Sequence, residues 1–188
     1  WAKVFDEQVG QPYNPAILVL YKGVTQSACG GASGATGPFY CPGDKKVYLD
    51  TDFFSTLEER LGAAGDFASA YVVAHEIGHH VQDELGILGK ANQVRAQMSE
   101  SESNAISVRI ELQADCFSGI WAREAAQKFG SIDRGDLEEA VNAARQIGDD
   151  TLQRNAGQRP MPHTFTHGTS EQRSRWFVTG FQTGQMAQ

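Results

Sequence analysis

The chain contains no run of about twenty consecutive apolar residues, so no part of it is built to cross a bilayer as a helix. Basic side chains are few: 16 Lys and Arg stand against 23 Asp and Glu, a formal net charge of −7. A balance of that sign argues against a nucleic-acid surface and against adhesion to an anionic membrane. Cysteine is scarce too, with three residues, Cys29, Cys41 and Cys116, which leaves one odd. No internal repeat is visible, so the chain is not read as a repeat array. The first residue is Trp1 rather than Met, and an upstream signal or anchor segment is expected to precede it. What remains is a chain of 188 residues, enough for one domain with a proper core, and residues 1–188 are expected to form a single domain.

Within it, the stretch from Val72 to Val81 carries the strongest chemical signal. His75 and His79 are four apart, so on a helix they lie one above the other and both imidazoles can reach one metal ion. Glu76 sits one step round, where it can take a proton from a water held by that metal without being a ligand. Val72, Val73, Ala74, Ile77 and Val81 make this a buried helix, expected from Asp66 to Leu85 and ended by Gly86 and Gly89. Gly78 is costly inside a helix, which implies that another backbone passes close to it. His80 is turned about 100° from His79 and should point elsewhere.

The rest of the chain reads as a mainly helical α+β domain with a small sheet near its N-terminus. Trp1 to Val9 has a helical apolar face. Ala16 to Tyr21 reads as a buried strand, Ser27 to Gly43 as a Gly-, Ala- and Ser-rich loop, and Val47 to Asp50 as a second strand. A short helix is expected over Phe53 to Leu61, capped near Asp52 or Ser55. Lys90 to Asn104 is polar and reads as a mobile connection or a solvated helix face. A long helix follows from Asn104 to Phe129, then helices over Asp136 to Ile147 and from Gly148 onward. A last helix, through Phe181, opens on the Thr169–Gln172 capping pattern.

Two further groups carry chemistry. Glu111 and Asp115 form an i, i+4 pair on the long helix beside Leu112, Ala114, Cys116 and Phe117, a buried setting in which carboxylates need partners. A catalytic zinc takes three protein ligands and an open fourth position. Glu111 can be the third, and Asp115 can accept a hydrogen bond from the far nitrogen of a ligating histidine. In Phe165 to Arg173, His167 stands just before a helix, either as a donor to an oxyanion or as a turn residue bonded locally. Arg173 can pair with Asp115, and His163 reads as an exposed loop residue.

Taken as a set, His75-Glu-Ile-Gly-His-His-Val-Gln82, Glu111-Leu-Gln-Ala-Asp-Cys116 and Phe165-Thr-His-Gly-Thr-Ser170 resemble the putative neutral zinc metallopeptidase family of bacteria. Gly37-Pro-Phe-Tyr-Cys-Pro42 and Val47-Tyr-Leu-Asp50 resemble it as well, so the likeness runs over nearly the whole chain from residue 16. It implies a zincin-like fold, a zinc ion, and a domain outside the cytoplasm: periplasmic, at the cell surface on an upstream membrane anchor, or secreted. The pattern is also similar to the CAAX-prenyl-protease group of gluzincins, which implies that Glu111 is the third ligand and that His167 and Arg173 flank the substrate and the ligand shell. Members often carry a tail beyond the point where this chain ends.

The resulting expectation is zinc-dependent peptide hydrolysis on a peptide or protein substrate. His75, His79 and Glu111 hold the metal, Glu76 is the general base and His167 helps hold the oxyanion. Zincin substrates lie along an edge strand, for which Val47 to Asp50 is the nearest candidate in chain order. The alternative is a zinc-containing module that binds peptides without cutting them. Cys29 and Cys41 bracket a loop with little apolar content, and a bridge between them would contribute about 3 kcal/mol. With a location outside the cytoplasm, that favours a Cys29–Cys41 disulfide, and Cys116 remains a free core thiol.

Overall fold

The computed structural model describes residues 1–33, 36–59, 62–63, 65–130 and 132–187. In chain order the elements are α1 (Ala2–Gln8), β1 (Ile17–Tyr21), β2 (Val24–Ser27), β3 (Gly30–Ser33), β4 (Phe39–Cys41), β5 (Lys46–Asp50), α2 (Thr51–Glu59), α3 (Asp66–Glu84), α4 (Ile87–Arg95), α5 (Glu100–Phe129), α6 (Arg134–Gln146), α7 (Asp149–Asn155) and α8 (Ser170–Thr183). A short 3-10 turn, Pro162–Thr164, lies before α8. This is the mainly helical α+β architecture with a small N-terminal sheet that the residue pattern implied.

The helical part is assembled around α5. Its start lies earlier than the apolar periodicity indicated, at Glu100, because Ser99 and Glu102 form a reciprocal capping box that satisfies the first backbone N–H groups. The polar stretch before it is therefore helical too, as α4 and the first turn of α5, and α4 has no buried residue. Helix α3 crosses α5 where Gly78 meets Ala114: a Cβ on Gly78 would lie 3.0 Å from the Ala114 carbonyl oxygen. Helix α8 meets α5 through a reciprocal notch. A side chain at Gly119 would run into the Phe177 carbonyl, and one at Gly180 into the Cys116 carbonyl. One apolar cluster joins Phe67, Tyr71, Ala140, Ala143, Ala144 and Phe177 between α3, α6 and α8. Another joins Val4 and Phe5 of α1 to Val81, Phe117 and Ile120.

Around the sheet the expectations need correction. Strand β1 exists but is not buried: Ile17, Leu18 and Leu20 are 61%, 49% and 70% exposed. Among the described residues the strand order is β1-β5-β4, so β1 is an edge, paired with β5 in parallel. Strand β5 is the central one, with Val47 to Asp50 all buried, and it cannot accept a substrate strand because both its sides are taken. The other edge among the described residues is β4, antiparallel to β5 with Phe39 opposite Tyr48. The Gly-rich segment from Ser27 to Gly43 is not one loop: it holds β3, which pairs back on β2 with Ser27 opposite Gly30, and β4. Glycine and alanine carry little strand propensity, so pairing with β2 rather than local preference makes β3, Gly30–Ser33. Positions 34 and 35 of that segment lie outside the described residues. So does Leu61, at the expected end of the helix that forms as α2, which is capped by the Asp50 carboxylate accepting from the Asp52 N–H at 3.0 Å. A disulfide joins Cys29 to Cys41 and pins the hairpin to the end of β4.

Candidate metal centre

Helix α3 presents His75, Glu76 and His79 towards α5, and the close approach at Gly78 lets Glu111 reach them. His75 Nε2 lies 3.0 Å from one Glu111 carboxylate oxygen, and His79 Nε2 lies 3.4 Å from the other. These ligand-type atoms all fall within 4.8 Å of one another. Two imidazole nitrogens and one carboxylate converging on a point are a donor set suited to zinc, with room for a fourth ligand. The electrostatics agree. Burial alone would lower the pKa of His75, yet the Asp115 and Glu111 carboxylates beside it carry it to about 10. For His79 burial is likewise outweighed, chiefly by Glu111, and the shift is upward. Burial pushes Glu111 up, but the two imidazoles hold its carboxyl well below the usual range. The pocket thus favours positive charge between these three side chains, which a divalent cation supplies as well as protons do.

Asp115, fully buried, organises the rear of the site. One oxygen accepts from the Tyr71 hydroxyl at 2.6 Å, from His75 Nδ1 at 2.8 Å and from Arg173 Nη2 at 3.1 Å. The other accepts from Arg173 Nε at 3.0 Å. Burial would raise its pKa, but Arg173 and His75 keep the carboxyl below its ordinary value. Asp115 therefore acts as an acceptor, which puts the His75 proton on Nδ1 and leaves Nε2 for the metal position. Arg173 also donates to the Ile147 carbonyl at 3.2 Å, tying α8 to the end of α6.

Glu76 faces the cleft beside the two histidines, 8% exposed. Among the described residues no hydrogen bond engages its carboxylate. Burial raises its pKa, opposed by His79 and His75. The cleft has a volume of about 690 Å³, and Phe39, Tyr40, Val72, Ile110 and Leu152 give it largely apolar walls. His167 lies on the same cleft, its side chain half exposed. Its loop is organised by Asp149, whose carboxylate accepts from the backbone N–H of Thr166, His167 and Gly168 at 2.8, 2.7 and 2.9 Å. His80 points away from the metal position, its Nε2 donating to the Asn14 carbonyl at 2.6 Å. His163 is exposed, outside the cleft. Cys116 is a free, buried thiol.

Three participants carry no motif of their own in the sequence: Tyr71, Asp149 and Gln82. Tyr71 and Gln82 do share the helical spacing of His75 and His79, at −4 and +3, which is the signal that could have found them.

A family model described as "Putative neutral zinc metallopeptidase" matches residues 1–188. The chain is 50% identical over 188 residues to the uncharacterized protein YpfJ of Escherichia coli, covering 100% of this chain and 65% of that protein. It is 45% identical over 182 residues to the uncharacterized protein Rv2575 of Mycobacterium tuberculosis, covering 92% of this chain and 60% of the relative. The chain thus spans a little under two thirds of the length of these curated relatives. No solved structure matches.

Proposed function

Since the chain belongs to the putative neutral zinc metallopeptidase family, we propose that residues 1–188 act as one catalytic domain that hydrolyses peptide bonds with zinc held by His75 Nε2, His79 Nε2 and Glu111. The observation that carries this reading is the Glu76 carboxylate, without a hydrogen bond among the described residues, on the cleft beside the converging ligand set. A metal with a purely structural task needs no general base there. When bound, zinc supplies Lewis acidity towards a water molecule and towards the peptide carbonyl. Glu76 accepts the proton of the attacking water and delivers it to the leaving amine, and burial, which raises its pKa, makes it the more ready to carry that proton. His167 Nδ1 lies 2.9 Å from the Thr166 hydroxyl and 3.3 Å from the Asp149 carboxylate, which accepts its proton, so Nε2 is the ring nitrogen left to meet the oxyanion, as a donor when the ring carries both protons. Asp115 and Arg173 keep the His75 ring in place. An extended peptide fits along the outer edge of β4, with apolar side chains against Phe39, Val72 and Ile110.

The Cys29–Cys41 disulfide suits a compartment outside the cytoplasm, where such bonds persist. Among the described residues no helix is long and apolar enough to cross a membrane. We place the domain in the periplasm, at the cell surface or in the medium, with any membrane attachment made by segments other than these. The deciding experiment measures bound zinc together with chelator-sensitive cleavage of an unfolded protein. Glu76→Gln is expected to keep zinc and fold while turnover falls about 100-fold or more. A zinc-loaded Glu76→Gln protein with full turnover would sink the mechanism. A wild-type protein that binds zinc and peptide without cleavage would support the binding-module alternative.

A further inference from the structure

The two imidazoles that meet at Glu111 are steadied from behind by groups of different chemistry. His75 Nδ1 rests on the Asp115 carboxylate, whereas His79 Nδ1 lies 2.9 Å from Gln82 Oε1. Gln82 is fully buried and stands three residues after His79, on the same face of α3. Its amide is oriented from α5. The Gln82 nitrogen donates to the Ile110 carbonyl at 2.7 Å and to Gln113 Oε1 at 2.9 Å.

These contacts determine where the protons are. A backbone carbonyl can only accept, so the NH2 end of Gln82 must face Ile110 and its oxygen must face His79. An amide oxygen also only accepts, so the hydrogen bond requires a proton on His79 Nδ1. The neutral ring then keeps its lone pair on Nε2, the atom nearest Glu111. Ile110 immediately precedes Glu111, so the side chain that orients the second imidazole also ties it to the helical turn carrying the carboxylate. Being neutral, the Gln82 amide adds no further anion to a site that already holds the carboxylates of Glu76, Glu111 and Asp115, of which Arg173 pairs with Asp115.

We propose that Gln82 is a positioning residue for the metal centre: it sets the tautomer of His79 and fixes that ring against the α5 turn bearing Glu111. This rests on the reading of His75, His79 and Glu111 as ligands. Groups in this role behind a ligating histidine typically change metal affinity by about 10- to 100-fold.

The test is Gln82→Met, which keeps the length of the side chain and removes every hydrogen bond. Zinc affinity is measured by chelator competition, fold by circular dichroism, and ring protonation by ¹⁵N NMR of histidine-labelled protein. The zinc-loaded wild type should show His79 protonated at Nδ1. Gln82→Met should weaken zinc binding about 10- to 100-fold while the fold is retained, and turnover at saturating zinc should fall less. Affinity within twofold of wild type in a folded Gln82→Met protein overturns the proposal. So does a wild-type His79 protonated at Nε2, which decides the matter alone if the variant does not fold. If the wild type takes up no zinc, the peptidase reading fails by itself. The His79 tautomer, read in metal-free protein at a pH where the ring is neutral, then still decides whether Gln82 sets it.

Discussion

Glu111 closes the donor set from a different helix than the two histidines, so its removal separates metal binding from folding. Glu111→Ala should leave two protein ligands and lower zinc affinity, read as reduced stoichiometry at limiting metal. Unchanged stoichiometry would place the third ligand elsewhere. Behind it, Arg173 and Asp115 are both fully enclosed, at 2% and 0% exposure. The value of such a pair is felt mainly when one partner goes and the other is left charged without a counter-ion. Arg173→Leu should therefore cost about 3–5 kcal/mol in urea unfolding. A loss below 1 kcal/mol would mean that Tyr71 and His75 satisfy Asp115 without the guanidinium.

At the scale of elements, three helices meet so closely that side chains are excluded at the crossings. Gly78 admits the α5 backbone, and Gly119 with Gly180 seats α8 on α5. Gly180→Val adds atoms that run into the Cys116 carbonyl, so α8 must shift and carry Arg173 with it. The expected cost is about 1–3 kcal/mol, with zinc affinity lowered as well because the Asp115 clamp moves. Thermal unfolding and chelator competition on the same sample check both halves. If stability falls while zinc affinity holds, the packing of α8 is independent of the metal centre.

For the molecule as a whole, the cysteines report the environment and integrity of the fold. The Cys29–Cys41 bond closes a separation of 12 residues and anchors β4, whose Phe39 and Tyr40 line the cleft. Its loss should cost about 3 kcal/mol by loop closure alone. Cys116 is held otherwise: burial pushes its thiol to about 11. Since the thiolate is the reactive form, native protein at pH 8 should alkylate at Cys116 far more slowly than unfolded protein, with reactivity rising as pH approaches that value. Denatured, non-reduced protein should count one free thiol per chain. Three would remove the bridge and with it the support for a location outside the cytoplasm.

Local rules determined much of this by sequence alone. Period-3.6 apolar spacing marked α3 and the part of α5 from Asn104 to Phe129, the Thr169–Gln172 pattern marked the start of α8, and i, i+4 pairs put His75 over His79 and Glu111 over Asp115. Gly78 even announced a neighbouring backbone. Each depends on hydrogen bonds or steric contacts within a turn or two of helix, so neighbouring residues suffice. Which strand is an edge did not follow from composition: the apolar Ile17 to Leu20 run looked buried, yet it is β5 that the pairing partners enclose. The hairpin in the Gly-rich segment, the Asp149 grip on the His167 loop and the bond from Gln82 to the Ile110 carbonyl were equally hidden. Strand pairing and side-chain hydrogen bonds between elements join residues far apart in the chain, and their free energy appears only once the packing of α3, α5 and α8 has brought those residues within reach.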